Sequence, residues 1–366
     1  MSFNKTSIHA TARRTSAVLR NAASAACALA ALAAFQPAPA PAAPKPDAAM
    51  KRVLDTLGTL GGKPIPTLTP EEARLQPTPT DAVMALLKAD GRSTEPVPVG
   101  KVVDTTIPSP AGDIPVRVYT PAKGDGPIPV IVYFHGGGWV IATIDTYDAS
   151  ARALANGAGA VVVSVEYRKG PEAPFPAAHE DSFAAYKWTL ENAESLGGDP
   201  ARVAVAGESA GGNLANAVSA MARDKGVTVP LHQLLVYPVT AAPSDNASYK
   251  ANADAKPLDK PMMEWFVKHA SSDPARDGAN PYFAPLTHGD AKGLPPTTII
   301  TAEIDPLRTE GMDYARKLKD AGVKVKSKDY EGVSHEFFGM AAVVPDAKKA
   351  QDFAAGELKA AFAKKR

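Results

Sequence analysis

Ser209, Asp305, His335 and a run of three glycines after His135 are the residues whose types and spacing could attack a carbonyl carbon. The pentapeptide Gly207-Glu208-Ser209-Ala210-Gly211 matches G-x-S-x-G. It follows the apolar run Val203-Ala204-Val205-Ala206 and leads into a helical stretch of small residues. At such an elbow the serine occupies a strained turn, and only small residues fit two places before and after it. Gly207 and Gly211 meet that condition, so Ser209 is the candidate nucleophile. The plainer alternative is a strand–helix turn with a capping serine.

A serine needs a base, and the base needs an orienting group. Seven histidines are available. His135 sits in the glycine run, His179 opens a helix, His232 starts a strand, and His269 and His288 fall in a strand-poor insert. His335 alone stands in a loop just after the last strand pattern. Open α/β sheets place their sites at that carboxyl end. In the segment Ile299–Gly311, Asp305 directly follows a strand pattern and precedes a helix opened by Pro306, where it could also cap the helix. Glu303 is a nearby rival but still lies within the strand end.

The glycine run His135-Gly136-Gly137-Gly138-Trp139 ends the strand Pro129–Phe134. Bare glycines bury no side chain and cost backbone entropy. Their use is to expose backbone N–H groups. Attack on an ester carbonyl places negative charge on its oxygen, which needs preorganised donors about 3 Å away, each worth roughly 3–4 kcal/mol. The N–H of Ala210, next to Ser209, would add another donor. A phosphate-binding loop would require a following Lys-Ser/Thr pair, which is absent here.

These residues need a scaffold, and the chain between them reads as one. Lys101–Ile107 and Ile114–Thr120 alternate apolar and polar residues, as half-buried antiparallel strands do. Pro129–Phe134 and Gly159–Tyr167 are near-continuous Val/Ile runs, the pattern of strands buried on both faces. Alternation of such strands with amphipathic helices predicts an α/β sheet wrapped on both faces. Asp47–Gly62 and Pro70–Asp90 read as two short helices. Residues from about 240 to 295 lack a clear strand and hold one amphipathic segment, Asp259–Ala270. An insert of that length predicts a lid. With residues 43–100 it would form a cap over the strand ends of the catalytic region 101–366.

The first 42 residues differ from the rest. Lys5, Arg13, Arg14 and Arg20 precede the uncharged apolar run Ala22–Phe35, and Ala40-Pro41-Ala42 follows. That order predicts a secretory signal peptide and a periplasmic or secreted protein. Arg13-Arg14 hints at twin-arginine export, although Ser16 stands where a hydrophobic residue is expected. Removing residues 1–42, which hold four of the 40 Lys and Arg and no Asp or Glu, would leave 36 basic and 39 acidic residues, a formal charge of −3. It would also remove Cys27, the only cysteine, and with it any thiol or disulfide chemistry. The apolar run is too short for a transmembrane anchor, and the balanced charge argues against a nucleic-acid partner.

His135–Trp139, Gly207–Asn213, Asp305–Gly311 and Ser334–Met340 together resemble the hormone-sensitive lipase-like family of α/β-hydrolase serine esterases. Val165–Asp181 is similar to that family's segment after the fourth strand. The order nucleophile, acid, base is the one such sheets use. The resemblance runs from about Lys101 to the C-terminus. It implies an eight-stranded, mostly parallel sheet with a helical cap, and carboxylic-ester hydrolysis without cofactor or metal. It assigns Ser209 as nucleophile, His335 as base, Asp305 as its partner, and Gly136, Gly137 and Ala210 as oxyanion donors. His135 would steady the glycine loop, and Gly138 would let it turn. Three places depart from the family pattern: Glu208 for Asp, Thr309 within the usual Asp-Glu-Gly, and Lys169-Gly170 for Leu-Ala.

The expected substrate is a small acyl ester of short to medium chain length. Trp139, Phe175, Trp265 and Phe266 are candidate pocket walls, with core packing as the competing assignment. An amidase or a deacetylase of an acylated sugar or natural product would use the same triad. A non-catalytic binding protein of the same fold would usually lack one of its members.

Overall fold

The computed structural model describes residues 44–363 apart from 125 and 242–244, so the expected leader lies outside the described residues. Helices α1 (Ala48–Thr59), α2 (Pro70–Ala73) and α3 (Pro79–Ala89) precede strands β1 (Lys101–Ile107), β2 (Ile114–Thr120) and β3 (Ile128–Phe134). Then come α4 (Asp148–Ala158), β4 (Val161–Val165), α5 (Ala177–Asn192), β5 (Gly198–Glu208), α6 (Ala210–Asp224) and β6 (Gln233–Val236). Helices α7 (Ala247–Ala251), α8 (Lys260–Ala270), α9 (Pro274–Asp277) and α10 (Pro285–His288) follow. The chain closes with β7 (Thr297–Ile304), α11 (Arg308–Asp320), β8 (Val325–Ser334) and α12 (Pro345–Phe362).

The strands form one eight-stranded sheet in the order β1-β2-β4-β3-β5-β6-β7-β8. β1 and β2 pair antiparallel, β2 meets β4 antiparallel, and the remaining pairs are parallel. Burial follows the pleat. Val130, Val132 and Phe134 of β3 face a core shared with α5, α6 and α11. Ile131 and Tyr133 face the opposite core, shared with α1, α3, α4 and α12. Each face is covered, which is why the β3 and β4 runs need no polar alternation.

Two local expectations change. β1 is exposed from Lys101 to Thr106 and buries only Ile107, because it is an edge strand. Its alternation therefore reflects edge position rather than a half-buried face. The stretch Pro70–Asp90 divides at Pro77 and Pro79 into α2 and α3. Thr78 caps α3 through a reciprocal pair with Asp81, and Pro79 opens its first turn. Among the described residues, the insert before β7 contains four short helices. The longest, α8, starts where the Asp259 side chain accepts the Met262 N–H at 2.9 Å.

This topology gathers chain-distant residues. β3, β5, β7 and β8 run parallel, so their carboxyl ends lie along one edge of the sheet. The glycine loop leaves β3, Ser209 leaves β5, Asp305 leaves β7 and His335 leaves β8.

Candidate active site

Ser209 joins β5 to α6 with φ 56° and ψ −118°. A non-glycine residue at that φ is strained and persists only where its surroundings hold it. Its N–H donates to Val236 O at 2.9 Å, and its carbonyl accepts from Asn213 and Val239. A Cβ on Gly207 would collide with Gly211 O, and one on Gly211 with Phe134 O. The two small residues are therefore demanded by backbone approach, as the motif predicts.

His335 and Asp305 reach this serine. His335 Nε2 lies 2.9 Å from Ser209 Oγ, and Nδ1 lies 2.7 Å from Asp305 Oδ2. All three residues are buried. Asp305 also accepts the Leu307 N–H at 2.8 Å through Oδ1, so it orders the start of the next turn as well. Glu303, the rival acid, is engaged elsewhere and accepts the Gly332 N–H at 2.8 Å. Burial works to lower the His335 pKa. The adjacent Asp305 charge and hydrogen bond, with Glu336 and Glu208 behind them, outweigh burial and hold it above the ordinary histidine value.

The glycine loop is packed on every side. Gly137 and Gly138 have φ of 89° and 59°, values that favour glycine. Both line a cavity of about 530 Å³ together with Ser209 and His335, whereas Gly136 does not. Gly136 instead backs onto the Tyr147 hydroxyl, which a Cβ there would strike. Among the described residues, the N–H groups of Gly136, Gly137, Gly138 and Ala210 donate no hydrogen bond. His135 is fully buried, with Nδ1 2.8 Å from Gly136 O and its ring stacked on Tyr167 at 4.3 Å. Burial lowers its pKa to about 4, so it stands neutral behind the loop.

The cavity walls come from both segments that flank the sheet. Leu54, Leu57 and Ile65 contribute from the N-terminal side, and Leu258, Met262 and Phe266 from the insert. Of the four aromatic candidates only Phe266 lines this cavity. Trp139 stacks on Phe283 at 4.9 Å, and Phe175 meets Phe283 and His179 edge-on at 5.4 and 4.8 Å. Trp265 turns away and donates its indole N–H to Leu68 O at 3.1 Å. Those three are packing residues, as aromatic area away from the strand ends often is.

The departures from the family pattern have structural uses. Glu208 is buried and accepts from the Tyr133 hydroxyl at 2.5 Å and from the Tyr237 hydroxyl. Burial raises its carboxyl to about 7. Lys169 donates to Ala142 O at 2.8 Å and pairs with Glu166, which in turn accepts the Ile144 N–H, so it braces the segment after the glycine loop. Gly170 is forced, because a Cβ there would collide with His269 O. Thr309 accepts the Ser248 N–H at 3.0 Å. Glu310 accepts the N–H groups of Thr240 and Ala241 at 2.7 and 3.2 Å, where the insert begins.

Two contributors were not legible as site residues. Arg74 donates to Val140 O at 2.9 Å and Gly170 O at 2.8 Å while paired with Glu172. It thus ties the N-terminal segment to the glycine loop. Glu336 lines the same cavity and has a left-handed φ of 70°. Its position beside His335 was the one available signal.

A doubly covered, mostly parallel sheet with a strained serine elbow and a Ser–His–Asp relay at its strand ends defines an α/β-hydrolase. The family model for the alpha/beta hydrolase fold matches residues 131–339, over half of the chain, and the chain belongs to that family. It is similar to Carboxylesterase NlhH of Mycobacterium tuberculosis, 46% identical over 254 residues, 68% of this chain and 79% of that protein. Ethyl acetate hydrolase of Pseudomonas putida is 34% identical over 307 residues, 82% of this chain and 94% of the relative. A solved thermostable esterase from Pseudomonas putida ECU1011 superposes with a TM-score of 0.78 at 37% identity, covering 88% of this chain and 99% of that one. The resemblance to hormone-sensitive lipase-like esterases holds, and the protein is a carboxylic ester hydrolase.

Proposed function

We propose that the protein cleaves short- to medium-chain acyl esters through an acyl-enzyme on Ser209. One observation carries this reading: the continuous Ser209–His335–Asp305 relay opens into a cavity with apolar walls. Ser209 Oγ attacks the acyl carbon as its proton passes to His335 Nε2. Asp305 holds the imidazole in the required tautomer and stabilises its charged form. The oxyanion is held by the N–H groups of Gly137, Gly138 and Ala210. Gly137 and Gly138 are preferred over the pair Gly136 and Gly137 because they line the cavity with Ser209. His335 then gives its proton to the leaving alcohol, and water repeats the sequence to release the acid.

The cavity volume and its Leu54, Leu57, Leu258 and Phe266 walls support short- to medium-chain acyl groups. The named substrate of the Pseudomonas putida relative lies at the short end of that range. Ester cleavage is favoured over amide cleavage because the relatives are named as ester hydrolases. The leader-like residues 1–42 support export, which N-terminal sequencing of protein recovered outside the cytoplasm would test. For the reaction itself, Ser209→Ala should cut kcat on p-nitrophenyl butyrate by a factor on the order of 10⁶. Turnover that survives the change sinks the serine mechanism. A p-nitrophenyl ester series from C2 to C16 locates the chain-length optimum, and matched esters and anilides separate esterase from amidase.

A further inference from the structure

We propose that Glu336 is a second acceptor for the water that hydrolyses the acyl-enzyme, a role that rests on the serine-esterase reading above. Glu336 Oε1 lies 3.9 Å from His335 Nε2, on the side of the ring that faces Ser209 rather than Asp305. That gap is too long for a direct hydrogen bond and short enough for one water to contact both atoms. The carboxylate is held from behind. The buried Tyr147 hydroxyl lies 2.6 and 2.7 Å from its two oxygens, and that hydroxyl is itself backed against Gly136. In front, the Glu336 side chain keeps 21% of its surface exposed and lines the cavity that holds Ser209. A carboxylate offers about four lone-pair sites, so one hydroxyl leaves acceptor capacity for another donor.

The chemistry follows from what each acceptor can take. Once Ser209 carries the acyl group, its Oγ no longer offers a proton to His335. A water beside Nε2 donates one O–H there and the other to Glu336 Oε1. One of its two lone pairs is then directed toward the acyl carbon. As the new C–O bond forms, the first proton passes to Nε2, and the second stays on the attacking oxygen, hydrogen-bonded to Glu336. Collapse of the tetrahedral intermediate breaks the bond from carbon to Ser209 Oγ, and the Nε2 proton returns to Oγ. An alcohol acceptor has only one O–H, which His335 takes. Alcoholysis of the acyl-enzyme therefore needs His335 but not Glu336.

Charged and titratable groups around this pair are Asp305 on the far side of His335, Glu208 behind it, and Tyr147 against Glu336. A purely electrostatic action of Glu336 on His335 would affect both acceptors alike. The ratio of products separates the two roles. Native protein is given p-nitrophenyl butyrate with 1-butanol, and p-nitrophenol, butyric acid and butyl butyrate are measured together. In Glu336→Gly, which removes the acceptor, the ratio of butyl butyrate to butyric acid should rise about tenfold, the value of one lost hydrogen bond to a charged group. In Glu336→Gln, which keeps a neutral amide oxygen as acceptor, it should rise by a smaller factor. A pre-steady-state burst of p-nitrophenol should appear as deacylation slows. Glycine suits the left-handed φ at position 336, so that variant keeps the backbone unstrained. Tyr147→Phe keeps the carboxylate but loosens it, and should raise the ratio by a smaller factor. An unchanged ratio in both Glu336 variants overturns the proposal while leaving the esterase reading intact. Release of p-nitrophenol that does not depend on Ser209 overturns both.

Discussion

The turn from β5 into α6 holds Ser209 by backbone sterics, whereas the turn from β7 into α11 holds Asp305 by side-chain hydrogen bonds. At the first, Ser209 is forced to φ 56°, and Gly207 and Gly211 have no room for a Cβ. At the second, none of residues 305–308 has a left-handed φ. Asp305 is positioned there because Oδ1 takes the Leu307 N–H while Oδ2 faces His335. Each turn also buries a carboxylic acid. Glu208 accepts from two phenol hydroxyls beside Ser209, and Glu310 accepts from two backbone N–H groups beyond Asp305. A nucleophile must project from a sharp corner into the cavity, which strain provides. An orienting acid needs only fixed direction, which two hydrogen bonds provide.

The contrast predicts opposite failures. Asp305→Asn keeps the backbone and an acceptor for Leu307 but disturbs the imidazole tautomer. It should lower kcat by about 10⁴ with little change in thermal midpoint. Gly211→Ala removes no catalytic group but drives a methyl group into the carbonyls of Phe134 and His135. It should cost about 1–3 kcal/mol of stability, read as a lower midpoint in a thermal melt. If Asp305→Asn were the variant that melts early and Gly211→Ala the one that keeps its midpoint, the distinction between the two turns would be wrong.

The same contrast explains what could be read from the chain alone. The small residues around Ser209 are visible as letters because sterics excludes all others, and the Val/Ile runs of β3 and β4 announce two covered faces. Asp305 and His335 were legible through their positions after strands. Residues that work through directed polar contacts were not. Arg74 acts on carbonyls more than sixty residues away, and nothing local marks that partnership. Glu336 resembles any surface glutamate until its φ and its distance to His335 are known. Apolar letters failed in the other direction. Trp139, Phe175 and Trp265 have the composition of a pocket wall, but only Phe266 faces the cavity, because hydrophobicity does not encode which side of a packed layer is open.

A smaller effect tests how the relay is tuned. His335 serves as base only when neutral, and Asp305 raises its pKa above the ordinary 6.5 despite burial. The acid limb of kcat/KM on a neutral ester should therefore have its midpoint above pH 6.5 in the native protein. A midpoint well below that value would mean that burial, not Asp305, governs the histidine.

The smallest effect concerns the two buried acids. Burial raises Glu208 to about 7 and Glu310 to about 8 from the ordinary 4.5. In the unfolded chain both ionise near the ordinary value, so between about pH 4.5 and these raised values the folded state binds more protons than the unfolded state. Each acid therefore makes stability fall as pH rises through that window. Two other buried groups pull the opposite way: His135 and His179 are lowered to about 4 by burial and favour folding more as pH rises toward 6.5. The comparison must accordingly be made between native and variant at matched pH. Glu310→Gln keeps a carbonyl for the Thr240 and Ala241 N–H groups and removes the titration. Urea denaturation at pH 5 and pH 8 should show the variant losing less stability across that interval than the native chain. Glu208→Gln should show the same sign over a narrower range, ending near pH 7. Equal losses in native and variant would mean that Glu310 ionises in the fold as easily as in the open chain, and that the insert is anchored to α11 by a charge rather than by a neutral acid.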